Sequence, residues 1–151
     1  TDATFIHYEG YSLPFPENHF DIVFSLGVLH HLRHWKSIIE QMVKLSKKYT
    51  IFDLRLTDNE TLDEPNEYYQ KIAFGEKWDG KTAISYIVVN INELIKFFQE
   101  KFLKGGYRIE SYGYFAKPTN LSNIPYDEVF MCCIRIEKKS KSPGVFVDIS
   151  K

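Results

Sequence analysis

Imidazoles, carboxylates and small residues crowd around one short run of this chain. "FDIVFSLGVLHHL", residues 20–32, ends an apolar stretch in Ser25, Leu26 and Gly27, then sets His30 beside His31, with His34 close behind. His30 and His34 stand one helical turn apart, a spacing that invites a metal reading. Zinc, however, needs a third ligand and further groups that orient the ligands, and the sequence identifies neither. Metal is therefore not expected. A single imidazole acting as general base is the next reading, with His31 as the candidate. The plainest reading makes the histidines a cleft wall that moves no proton. Asp53 in "IFDL" sits toward the end of another apolar run and is a candidate for the same cleft, whereas Asp21 reads as a structural acid at the start of a strand. Taken alone, Glu9 reads as a solvated turn acid before Pro14.

These groups need strands and helices to position them. Pro14 and Pro16 rule out regular helix or central strand over "EGYSLPFPENH", so "TFIHY" and "FDIVF" are read as strands on either side of a turn-rich loop. Trp35, Ile38, Ile39, Met42 and Val43 follow helical spacing with polar residues mostly between them. "YTIFDLRL" reads as a strand. Residues 58–82 are polar and mixed, with a short helix expected around "EPNEYYQKIAF" and a turn at Asp79-Gly80, and they read as an insertion or lid. Asn90 and Glu93 form an N-cap signature for a helix with a buried stripe of Ile91, Leu94, Ile95, Phe98 and Phe102, stopped by Gly105 and Gly106. "YRIESYGYF" and "DEVFMCCIRIE" then read as an antiparallel pair. The plan is α/β, a mostly parallel sheet closed by a C-terminal antiparallel hairpin. Ligands bind such sheets beyond the carboxyl ends of the strands. Ser25 to Gly27 lies at such an end, where small residues let a ligand approach the backbone.

With 151 residues, 44% hydrophobic and 16% aromatic, the chain is sized for one core. Its formal net charge of -1, without basic clusters interleaved with aromatics, gives no reason to expect nucleic acid. No apolar run reaches the length of a membrane span, and the opening "TDATFIHYEG" has no leader pattern. A cytoplasmic setting is expected. Cys132 and Cys133 are adjacent in a strand, cannot readily bridge each other, and read as reduced core residues.

"YEGYSLPFPENHFDIVFSLGVLHHL", followed by "IIEQMVKL" and "YTIFDLRL", resembles the second half of a class I S-adenosylmethionine-dependent methyltransferase of the small-molecule, type 11 kind. The shared pattern is an acid and a small residue, Leu-Pro-Phe, a polar turn, Phe-Asp, an apolar strand, and a helix start rich in Leu and His. The resemblance implies a Rossmann-like sheet of order 3-2-1-4-5-7-6, S-adenosylmethionine as cofactor and a small-molecule methyl acceptor as partner. It implies that Glu9 accepts a hydrogen bond from the adenine amino group and that the Gly10 backbone meets the adenine ring. Ser25 and Leu26 would lie against the methionine part, and His31 would line the cofactor and substrate cleft.

The family's glycine-rich turn after its first strand, and the acid that holds the ribose, are not in these residues. The expectation is therefore the C-terminal portion of a single methyltransferase domain over residues 1–137, incomplete at its N-terminus and inactive when isolated, followed by a flexible tail over 138–151. "SKKY" replaces the usual Pro-Gly-Gly turn before the fifth strand. An open strand edge would be a route to a homo-oligomer or to another chain. The alternative is a methyltransferase-like domain without catalysis that binds a protein partner through that edge. A weaker third reading is another nucleotide-binding α/β enzyme, such as a dehydrogenase, which would also need N-terminal glycines.

Overall fold

Alternation along "YTIFDLRL" puts Phe52, Leu54 and Leu56 on one face of a strand and Ile51, Asp53 and Arg55 on the other. The two faces meet different fates. The computed structural model describes residues 3–7, 13–74 and 77–150. Its elements are β1 (Phe20–Ser25), a 3-10 turn (Leu29–His31), α1 (Trp35–Leu45), β2 (Ser46–Thr57), β3 (Tyr69–Phe74), β4 (Lys77–Ser85), β5 (Val89–Asn90) and α2 (Ile91–Lys101). A second 3-10 turn (Leu103–Gly105), β6 (Arg108–Ala116), β7 (Ser122–Asn123), β8 (Val129–Glu137) and β9 (Gly144–Ser150) follow.

The main sheet runs β1-β2-β8-β6-β9, with β5 also paired to β2. β1 and β2 are parallel, β8 is antiparallel to both β2 and β6, and β9 is parallel to β6. The architecture is α/β with a mixed sheet in which β8 runs against its neighbours. The expected C-terminal antiparallel pair is β6 with β8.

Both helices cover the face carrying Phe52, Leu54 and Leu56. Trp35, Ile38, Ile39, Met42 and Val43 of α1 and Leu94, Phe97 and Phe98 of α2 pack there with Ile109, Ile134 and Ile136, each large side chain stabilising the fold by about 1.5–3 kcal/mol. Phe97 lies outside the expected stripe. It fills the seam between helices, edge-on to Trp35 at 5.5 Å and to Phe102 at 5.6 Å. The cap of α2 forms with an intermediary: Asn90 Oδ1 accepts from the N–H groups of Asn92 (2.8 Å) and Glu93 (3.3 Å). Thr61 closes the other half, accepting from Asn90 N–H (2.9 Å) and donating to the Glu93 carboxylate (2.6 Å).

The opposite face of the sheet carries no helix among the described residues. Ile22, Phe24, Tyr112 and Tyr114 are exposed there, and Glu110 is held between Arg108 and Arg135. Cys133 is exposed on this face, unlike buried Cys132, so only one of the two is a core residue. Alternation along β8 is the reason.

Three other expectations change. Residues 3–7 form no strand, and Phe5 and Ile6 are exposed without a pairing partner among the described residues. Within 58–82 the expected helix is absent: Tyr69–Phe74 is strand β3, flanked by β4 and β7 in a separate three-stranded sheet. Cross-strand pairing of its β-favouring residues overrides the weak helical pattern. The Asp79-Gly80 turn falls inside β4, where the ladder shifts register between Lys71 and Ala73. Finally, the 138–151 segment expected to be a flexible tail supplies β9, paired from Arg108↔Gly144 to Tyr114↔Ser150. Its alternation of apolar residues in "GVFVDIS" suits an edge strand, and Val145 packs against the core.

Candidate active site

β1 ends at Ser25 and the chain must leave the sheet. It does so through Gly27, at φ +73, a conformation that favours glycine. A Cβ placed there would meet no atom of the described residues within 4 Å beyond its chain neighbours, so among them the backbone at this point borders open space. Gly27 N–H donates to Asp53 Oδ1 at 2.6 Å, and Arg55 Nη1 donates to Asp53 Oδ2 at 2.8 Å. Asp53 thus fastens the loop after β1 to β2. Leu26 and Val28 stay exposed on that loop, and Ser25 lines a mostly apolar cavity of about 510 Å³ with Val23, Leu29 and Met42.

The two histidines part company. His30 is 3% exposed, its carbonyl accepts from Ile87 N–H (2.7 Å), and its Nδ1 has no hydrogen-bond partner among the described residues. Burial lowers its pKa to about 3, with Arg55 and His31 acting in the same direction and Asp53 opposing. It is neutral at physiological pH. His31 is half-buried, with Nδ1 2.6 Å from the carbonyl oxygen of Ser85. A carbonyl can only accept, so Nδ1 carries the hydrogen and Nε2 of the neutral ring keeps the lone pair. Tyr86 packs edge-on to both rings, at 5.5 Å from His30 and 6.1 Å from His31.

The carboxyl ends of β1 and β2 therefore gather Ser25, Leu26, Gly27, Asp53 and Arg55, with His30 and His31 in the following turn. Glu9 and Gly10 lie outside the described residues. Ser85 and Tyr86 were not singled out from the sequence, although the polar pair interrupting "AISYIVV" was the available signal; Tyr86 is itself buried. No group of three or more His, Cys, Asp or Glu among the described residues is placed to hold a metal.

Residues 1–52 match the methyltransferase domain family. Over that stretch, about a third of the chain, the sequence is similar to that family. The matched segment runs through β1 and α1 into the middle of β2, so it contains the loop that Asp53 fastens but stops one residue short of Asp53 itself. No significant match is found among curated proteins. No helix among the described residues is long and apolar enough to cross a membrane.

Proposed function

We propose that the chain forms the part of a Rossmann-like class I methyltransferase domain that follows its glycine-rich turn, and that the domain transfers a methyl group from S-adenosylmethionine to a small molecule. One observation carries the reading beyond the family match: the strand order β1-β2-β8-β6, with β8 reversed, coincides with 4-5-7-6 of the order this family implies. The open space beside Gly27 and the exposed apolar side chains of Leu26 and Val28 fit a cofactor laid across the end of β1. Glu9 and Gly10 would hold the adenine, and Ser25 and Leu26 the methionine portion.

When bound, the cofactor supplies an activated sulfonium methyl group whose transfer is an in-line displacement. Such a transfer needs mainly alignment and exclusion of water. Asp53 contributes by fixing the loop through Gly27. His31, held by Ser85 with Nε2 free of hydrogen, is able to receive the acceptor's proton.

A second reading has its own observation. β1 pairs only with β2 among the described residues, and Ile22 and Phe24 are exposed on it, which favours an interaction domain that pairs with a protein through this edge. Calorimetric titration of S-adenosylhomocysteine into the full-length protein separates the two. Saturable binding that Glu9→Ala weakens by about 1–3 kcal/mol supports the enzyme. Absence of binding favours the interaction domain, and unchanged affinity in the variant removes Glu9 from the site.

A further inference from the structure

The opposite, amino end of the main sheet holds a second pocket, of about 670 Å³, into which five lysines converge: Lys44, Lys47, Lys101, Lys138 and Lys139. They arrive from separate parts of the chain. Lys44 ends α1 and Lys47 begins β2, Lys101 ends α2, and Lys138 and Lys139 form the turn after β8. Glu17 and Glu40 are the carboxylates in the wall.

Part of this charge is already matched. Lys101 pairs with Glu40 at 3.1 Å and Lys47 with Asp21 at 3.4 Å. Lys138 Nζ donates to the Ser46 carbonyl (2.6 Å) and to Asn18 Oδ1 (3.0 Å). The side chains of Lys44 and Lys139 make no hydrogen bond or ion pair to a described residue. Lysines near helix C-termini often serve only to offset the helix dipole, about half a charge at each end. Two helix ends here account for about one charge, and Glu17, Glu40 and Asp21 for three more; a positive surplus remains.

The backbone keeps these charges together. Asn18 and Lys139 both adopt left-handed φ, 54° and 52°, a region a lysine seldom occupies. Their turns are pinned by Asn18 N–H to the Lys44 carbonyl (2.8 Å), Lys138 N–H to the Lys48 carbonyl (3.0 Å) and Ser140 N–H to the Gly106 carbonyl (3.1 Å). Burial lowers the pKa of Lys138; Glu17 opposes that shift and the neighbouring charge of Lys139 adds to it. Gly105 leaves room for the ring of Tyr107, with which a Cβ would collide, so an aromatic wall completes the cavity. Ammonium groups on flexible stems, converging with no guanidinium among them, suit phosphate oxygens as point charges.

We propose that this pocket binds a compact polyphosphate anion, held by Lys44, Lys138 and Lys139. The site is independent of the methyltransferase reading, because it lies at the other end of the strands. Inorganic triphosphate titrated calorimetrically into the full-length protein, against sodium chloride at matched ionic strength, tests it. Saturable binding is expected, weakened at least tenfold in Lys44→Gln/Lys139→Gln and unchanged in Lys96→Gln, whose lysine lies outside the pocket beside Glu100. Thermal melts check that each variant is folded, and S-adenosylhomocysteine titrations of the same variants show whether the other end is intact. No saturable binding, or equal losses in the double variant and in Lys96→Gln, overturns the proposal.

Discussion

The two ends of the main sheet are built on opposite principles. At the carboxyl end the loop after β1 is tied down by specific pairings, Gly27 to Asp53, Asp53 to Arg55 and His31 to Ser85, with His30 Nδ1 and Arg55 Nε left unpaired among the described residues. At the amino end charges of one sign are gathered by pinned turns, and the side chains of Lys44 and Lys139 have no hydrogen-bond or ion-pair partner among the described residues. Helix polarity differs in the same sense. The carboxyl end receives the N-terminus of α2, capped by Asn90, whereas the amino end receives the C-termini of both helices. The first arrangement holds a loop in place; the second leaves unbalanced charge.

The largest test of that contrast is Asp53→Ala. It leaves Arg55, whose side chain is 13% exposed, without its counter-charge and frees the loop at Gly27. A loss of about 3 kcal/mol is expected by denaturant titration, against less than about 1 kcal/mol for Asp21→Ala at the amino end, where the ion pair is exposed. Equal losses would erase the distinction.

A smaller effect comes from acid. His30 is neutral when folded, with a pKa near 3 against an ordinary 6.5, so below pH 6.5 the unfolded chain binds more protons. Stability therefore falls as the pH drops through 6.5 toward 3. Between pH 6.5 and 5, above most carboxylate titration, the loss should be about 1–2 kcal/mol. His30→Phe should flatten the curve in that window, and a curve unchanged in the variant would assign the slope elsewhere.

The two helix ends give the smallest effect. Asn90→Ala should cost about 1 kcal/mol by removing the acceptor for two N–H groups. Lys101→Ala should cost no more than about 0.5 kcal/mol, because its pair with Glu40 is half exposed. Chemical denaturation of the two variants side by side checks the order.

How much of this was legible in the sequence depends on the range of the interactions. α1 was readable because all five of its predicted apolar positions are buried, and β1, β2, β6 and β8 because alternation and apolar runs are local signals. Phe97 was not, since its burial is decided by the angle between α1 and α2. β9 was missed for a related reason: it is made by pairing with β6, distant in sequence, and nothing in "GVFVDIS" announces that partner. β3 pairs chiefly with its chain neighbour β4 and was missed because a weak helical pattern in "EYYQKIAF" competes with its strand signal. At the candidate site, the placement of Ser25 to Gly27 and Asp53 at one end of the sheet could be anticipated from strand ends. The Gly27–Asp53 bond spans 26 residues and the His31–Ser85 bond 54, so neither could be read from motif spacing. The lysine pocket was invisible for the same cause, its members being scattered from Lys44 to Lys139 in a chain of nearly zero net charge.

The proposed function requires S-adenosylmethionine to bind at the carboxyl end of the sheet and not at the lysine-rich end. Backbone amide NMR of the full-length protein during titration with S-adenosylhomocysteine tests it most directly. The amides of Leu26, Gly27 and His31 should shift with a common saturation curve while those of Lys44, Lys138 and Lys139 stay in place. Saturable shifts confined to the lysine turns, with Leu26 to His31 unmoved, would contradict it.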